Sequence, residues 1–404
     1  GAPSPKSMSD ASDLSPTLAV RVTLLMTASL AVMAGAIVSP SLPALEQHFS
    51  HIPRVDYLSR FIITVPSLFM AALAPFAGYV IDTFGRRKLL IGGILLYAAA
   101  GVGGAIFDSI TAILISRAFL GISTAAIMTT IGTLVGDYFS GATRNRFMGY
   151  RNASNNFGGV IYLVLGGFVA TVDWRAPFLI YLVALAILPM VVKFIVEPPR
   201  NIGPADHTGA SEVVPIPWLE IGWVYFAAFI FGVTFYMIPT QVPFYLGELG
   251  FADPALAGLG VAASTLATAI TSLFYGRIRR HLSIETMFIF GFGLSAVGFF
   301  AMGLAATLPF LFLGLLLFGA GQGSTTANFS IRLLDLAPYR LRGRIMGGQA
   351  TAVMMGFFVS PLLSQSIAKV SSLSVAFFTA SILLLTVSAV FGLRRIWRWQ
   401  SSQS

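Results

Sequence analysis

The sequence predicts an all-α integral membrane protein: twelve transmembrane helices in two six-helix halves related by pseudo-twofold symmetry. Three observations carry this. Of 404 residues, 56% are apolar and only 10% charged, where a soluble domain carries about a quarter charged residues. Apolar stretches long enough to cross a bilayer occur six times, then a polar break, then six times more. The chain also matches itself at an offset of 198 residues, charged positions included.

In the first half the stretches run over 18–43, 60–81, 88–107, 111–135, 147–170 and 177–196. The second half has 219–246, 255–276, 285–305, 309–333, 345–368 and 372–393. The division that follows is an N-terminal tail over 1–17, a bundle over 18–196, a linker over 197–217, a bundle over 218–393 and a tail over 394–404. The stretch GAPSPKS before Met8 reads as an expression remnant, and the first apolar stretch as a retained span. The linker, EPPRNIGPADHTGASEVVPIP, is rich in Pro, Gly and charge. Twelve spans of roughly 20 residues use about 240, which leaves no room for a large soluble domain.

Orientation follows from the basic residues of the loops. With the N-terminus inside, twenty Lys and Arg face the cytoplasm. Only Arg54, Arg60, Arg175 and Lys369 face outward, and Arg117 alone lies within a span. Both termini are expected in the cytoplasm of a cell whose inner membrane holds the protein. The net charge of +9 is then topology, and nucleic acid is not an expected partner. With no cysteine, disulfides, thiolate catalysis and Cys-based metal sites are excluded. The four histidines are too scattered for a metal cluster, and no nucleophile elbow or P-loop appears, so neither a cofactor nor an enzymatic activity is expected.

The internal repeat pairs Gly78 with Gly276, Gly121 with Gly319, and Asp137 with Asp335. Arg144 and Arg146 pair with Arg342 and Arg344. Charged residues matching in one ungapped register point to duplication, and two parallel halves imply a site at their interface near the midplane.

After the second stretch comes GYVIDTFGRRK: Gly78, Asp82, Gly85, Arg86, Arg87 and Lys88. Asp82 can cap a helix end or start a tight turn, Gly85 permits positive φ, and three cations face the cytoplasm. The motif resembles the signature loop between the second and third helices of the major facilitator superfamily. That resemblance implies a cytoplasmic gate in which Asp82, Arg86 and Arg87 work with Asp137 and Arg144 or Arg146. Asp335, Arg342 and Arg344 are the repeat mates. At the second-half counterpart Arg280 stands in place of Asp82 and Ser283 in place of Gly85, so the gate is expected to be asymmetric.

The fourth stretch, SRAFLGISTAA, carries Arg117 four residues before Gly121. It resembles the Arg-x-x-x-Gly motif of proton-coupled members, which implies coupling or anion contact. A charge in a span is costly and should face the cavity; the other reading is an arginine that pins helices by bonding their carbonyls. In the fifth stretch, efflux antiporters of the family carry Gly-Pro before a terminal Gly-Gly. Here Gly166-Gly167 is present, and Tyr162-Leu163 holds the Gly-Pro position. The following DWRAPF, with Trp174, Arg175 and Phe178, resembles the outer turn of drug-exporter-like members.

Polar residues at helical spacing mark faces turned away from lipid. They are Asn152, Asn155, Asn156 and Tyr162 on the fifth span, and Gln322, Thr325 and Asn328 on the tenth. The seventh gives Tyr236, Thr240 and Gln241, with Pro239 and Pro243 expected to break its helix. Each stripe alone can be helix–helix glue; together with Arg117 they are the candidate substrate cavity. The 34 Phe, 12 Tyr and 13 Met supply a large apolar wall. No carboxylate lies mid-span, which favours neutral or anionic solutes over cations. The expected function is secondary transport of a small organic, amphipathic solute by alternating access, with proton-coupled efflux first and a metabolite importer or facilitator second. A membrane receptor or enzyme is the remote alternative. The expected partners are that solute, protons and the lipid bilayer, with the protein a monomer.

Overall fold

The computed structural model describes residues 16–198, 216–338 and 341–401. Most of the expected N-terminal tail and of the linker therefore lies outside the described residues. Among the described residues twelve helices are long and apolar enough to cross a membrane, which makes this a multi-pass membrane protein. In the first half they are α1 (Leu18–His48), α2 (Val55–Leu73), α3 (Arg86–Ile106), α4 (Ile110–Tyr138), α5 (Gly141–Ala170) and α6 (Ala176–Phe194). In the second they are α7 (Trp218–Glu248), α8 (Pro254–Arg279), α9 (Ile284–Gly303), α10 (Leu308–Leu336), α11 (Arg342–Val370) and α12 (Leu373–Ser401). Spans alternate in direction, so both described ends of the chain lie at one end of the bundle, the terminus end; the turn at 49–54 marks the far end.

Local chemistry sets the starts. Ser109 accepts a hydrogen bond from Ala112 N, Asp253 from Ala255 N ahead of Pro254, and Ser283 from Thr286 N. The 198-residue offset recurs in the elements: Ile110–Tyr138 and Leu308–Leu336 are both 29 residues long, and α3 and α9 start at Arg86 and Ile284.

Three expectations need correction. α2 begins at Val55, so Arg60, read as an outer-loop cation, sits inside a helix. α12 continues to Ser401, because Arg394 and Arg395 bond Glu220 and Thr286 at 2.5 Å each and carry the helix past the apolar boundary. α7 runs unbroken through Pro239 and Pro243. Proline removes one N–H, and a membrane helix tolerates this where another group bonds the freed carbonyl. Pro243 frees the Pro239 carbonyl, and Ser39 of the other half donates to it at 2.6 Å.

Each half has its own hydrophobic core, one spanning residues 24–195 and the other 221–391. Side chains cross the seam, among them Leu163 of α5, which packs in the second core, and Tyr236 of α7, which packs in the first. At the far end the seam is tight. A Cβ on Gly167 of α5 would lie 3.0 Å from Gly258 Cα of α8, and one on Gly258 2.8 Å from Gly167 Cα. Only glycine allows backbones this close. At the terminus end, Gly149 of α5 and its repeat mate Gly347 of α11 have nothing within 4 Å of a Cβ position.

Candidate functional site: a cavity between the halves and its far gate

A cavity of about 250 Å³ lies at the seam. The first half lines it from α1 (Gly35), α2 (Ser67, Met70), α4 (Met128) and α5 (Asn155, Asn156). The second half does so from α7 (Phe235, Tyr236), α8 (Ser264, Thr265, Thr268), α10 (Phe318) and α11 (Met354, Phe357). The wall is aromatic and thioether, with hydroxyl and amide groups set into it. Among the described residues, no side chain lining it is charged. Tyr236 is central: its ring stacks on Phe357 at 4.3 Å, its hydroxyl meets Ser67, and it fills the space over Gly35, where a Cβ would lie 1.9 Å from the hydroxyl oxygen.

The far side of the cavity is closed by a polar network across the seam. Arg60 is 3% exposed. Its guanidinium bonds Glu46 at 2.9 Å, donates to the Asp56 carbonyl at 2.5 Å, reaches Gln241 of α7 at 3.1 Å and lies 3.8 Å over the Phe244 ring. Gln241 passes the contact on to Ser364 of α11 at 2.8 Å. A second chain joins Asp56 to Lys369 at 2.9 Å and to Gln365 at 3.2 Å, and Tyr57 to Ser366 at 3.0 Å. A buried cation is tolerable where hydrogen bonds replace its water, and here one of them comes from the opposite half. Both its gain and its cost therefore depend on the far end being shut.

The sequence-derived cavity residues divide. Asn155, Asn156 and Tyr236 line the cavity. Gln241 belongs to the far gate. Asn152 is exposed towards the terminus end. Tyr162 meets the Ser29 hydroxyl at 3.1 Å within the first half. Thr240 and Thr325 spend their hydroxyls on their own helices, at Tyr236 O and Gly321 O. Asn328 donates to Ile284 O at 2.8 Å and accepts from the Tyr275 hydroxyl at 2.6 Å, pinning α8, α9 and α10 together. Gln322 is buried off the cavity with both amide atoms unpaired.

Arg117, expected in the cavity, faces the other way. It is 1% exposed, donates to the Ala100 carbonyl at 3.0 Å and the Gly101 carbonyl at 2.5 Å, and lies 5.0 and 4.9 Å from the Phe178 and Tyr181 rings. The regular helix of α3 ends at Gly101. Its last carbonyls lack intrahelical donors and carry the negative end of the helix dipole. The arginine supplies those donors, which is the pinning role. Arg117→Lys loses the planar fork and is expected to lower stability by about 1–3 kcal/mol while leaving solute affinity unchanged. Thermal unfolding and a binding titration on the same sample check this, and a loss of affinity at wild-type stability would return Arg117 to the site.

At the terminus end Arg86 meets Asp137 at 3.1 Å. Gly85 turns the chain at φ +81, and Glu197 accepts from Arg86 N and Arg87 N at 2.8 and 2.7 Å, capping α3. Gly78 and Asp82 lie on the short helix Ala77–Phe84; the Asp82 side chain is outside the described residues. Arg144 and Arg146 are exposed, Arg146 bonding Tyr150 at 3.0 Å. Asp335, Arg342 and Arg344 are exposed as well. Of the expected gate partners, Arg86 and Asp137 meet, within the first half.

Sequence reasoning missed the far gate, because Glu46, Asp56 and Arg60 were read as loop or span-end charges. It also missed Ser264, Thr265 and Thr268, although AASTLATAITS carries polar groups at helical spacing and could have been read as a stripe.

Comparison with known proteins adds a family. A family model described as Major Facilitator Superfamily matches residues 24–256 and 224–402. Multidrug resistance protein 2 of Bacillus subtilis is 29% identical over 224 residues, 53% of this chain and 56% of that protein. The bacillibactin exporter of Bacillus subtilis is 28% identical over 257 residues, 60% of this chain and 62% of that protein. The chain thus spans less than two thirds of the length of these relatives. Among solved structures, a D-xylose-proton symporter superposes with a TM-score of 0.77 at 16% identity, covering 92% of this chain and 96% of that one, which is a likeness of fold.

Proposed function

The chain belongs to the Major Facilitator Superfamily, and from that premise we propose that it is a secondary active transporter. It exports small amphipathic organic solutes, neutral or anionic, by alternating access, as a monomer, with protons as the coupling ion. The observation that carries this reading is the cavity itself: it is built from both halves, sealed at the far end by an interdomain network, and bordered at the terminus end by open space beside Gly149 and Gly347. Rocking the halves about such a site exchanges the open end. The basic excess of the loops supports a cytoplasmic terminus end, so this arrangement faces inward, ready to load. Relatives named for multidrug resistance and for export support the outward direction over import.

The test is flux in proteoliposomes under an imposed pH gradient. An amphipathic solute should move against its own gradient only while protons flow down theirs. Equal flux with and without the gradient would remove the proton, and coupled movement in the same direction as the proton would remove export.

A further inference from the structure

The hydrogen atoms of the three α8 hydroxyls in the cavity are already committed. Ser264 donates to Val261 O at 2.8 Å and Thr265 to the same carbonyl at 3.0 Å. Thr268 has Ser264 O at 2.9 Å and Gly319 O at 3.0 Å for its one proton. A hydroxyl has a single hydrogen and two lone pairs, so what these three turn toward a ligand is acceptor. On the opposite wall the Asn155 amide oxygen is buried with no hydrogen-bond partner, and an orphaned acceptor in a dry site is costly until a donor reaches it.

Charge is excluded from both sides. Among the described residues no carboxylate lines the cavity to meet a cation, and no cation lines it to meet an anion. Arg60 is held by Glu46 and Gln241, and Arg117 by the end of α3. Moving a charge out of water with no partner costs several kcal/mol or more.

We propose that this cavity selects uncharged amphipathic molecules that present hydrogen-bond donors, and that it rejects organic anions as well as cations. The inference rests on the reading of the cavity as the transport site and narrows it. A flat ring fits among Phe235, Phe318 and Phe357, and an O–H or N–H on its edge meets Asn155, Thr265 or Thr268.

A matched series on one scaffold tests it: naphthol, its methyl ether, naphthoate and naphthyltrimethylammonium, titrated by thermal shift against the purified full chain. Naphthol should bind, and the ether roughly tenfold more weakly, the size of one lost hydrogen bond in a desolvated site. The two ions should give no shift. In Thr265→Val and Asn155→Leu, made separately so that one misfolded variant does not decide the matter, the gap between naphthol and its ether should shrink. The proposal is overturned if either ion binds as tightly as naphthol, if the ether equals naphthol, or if no member binds. Flux separates this from the wider reading. Selective naphthol binding without proton-driven flux keeps the selectivity and removes transport; proton-driven flux of naphthoate or the ammonium keeps transport and removes the selectivity.

Discussion

Arg60→Met should open the far gate. The substitution removes a buried guanidinium that links Glu46 of its own half to Gln241 of the other and covers Phe244. Breaking a buried pair by deleting one partner costs about 3–5 kcal/mol. The low end applies here, because Glu46 is 26% exposed and regains water. About 3 kcal/mol is on the order of a hundredfold in the population of the closed far end. The native chain has no cysteine, so a single reporter works without background. Thr64→Cys suits this: Thr64 lies one turn beyond Arg60, is 0% exposed, and its hydroxyl has no partner to lose. An impermeant maleimide added from the far side should label it slowly in the native background and about a hundredfold faster beside Arg60→Met, with transport lost. Unchanged labelling would show that the network decorates a seam held shut by packing alone.

The second large effect is steric and has a built-in rescue. In Gly35→Ala the new Cβ would lie 1.9 Å from the Tyr236 hydroxyl oxygen, and 3.2 Å from the ring carbon that bears it. The first distance is impossible and the second merely tight. With Tyr236 intact the halves must part or the ring must leave its stack on Phe357. Gly35→Ala should therefore disrupt the closed seam over Gly35 and with it solute binding. Tyr236→Phe removes the clashing oxygen and leaves Ser67 without its partner, a milder defect of about 1 kcal/mol. The double variant should bind better than Gly35→Ala alone, with a coupling energy of roughly 1–3 kcal/mol. Simple additivity of the two losses would mean that Tyr236 does not span the seam over Gly35.

Membrane helices are legible because the bilayer imposes a length and forbids unsatisfied backbone. The stretches read over 111–135 and 309–333 became α4 and α10, longer at their terminus ends because helices run on into polar surroundings where apolar patterning stops. The motif loop was legible for a similar local reason: Gly85 has the positive φ its turn needs. Arg117 was found and misdirected. Its cost within a span is a property of the residue, but the direction it faces depends on which neighbour has free carbonyls, and the end of α3 at Gly101 is invisible in an apolar run. Arg60 was lost because a charge near a span boundary looks like a loop charge until the opposite half is placed against it.

The sequence by itself determined the solvent, the number of spans, the duplication and an apolar site with few charges. Composition, spacing and register are one-dimensional quantities, and each is fixed by a constraint acting along the chain. Tertiary structure decided which polar groups meet across the seam. Asn155 and Thr265 share one cavity although 110 positions separate them in the chain, Arg60 reaches Gln241, and Tyr236 fills the space over Gly35. Such contacts depend on the mutual rotation and approach of two packed bundles, and spacing within either half carries no record of that approach.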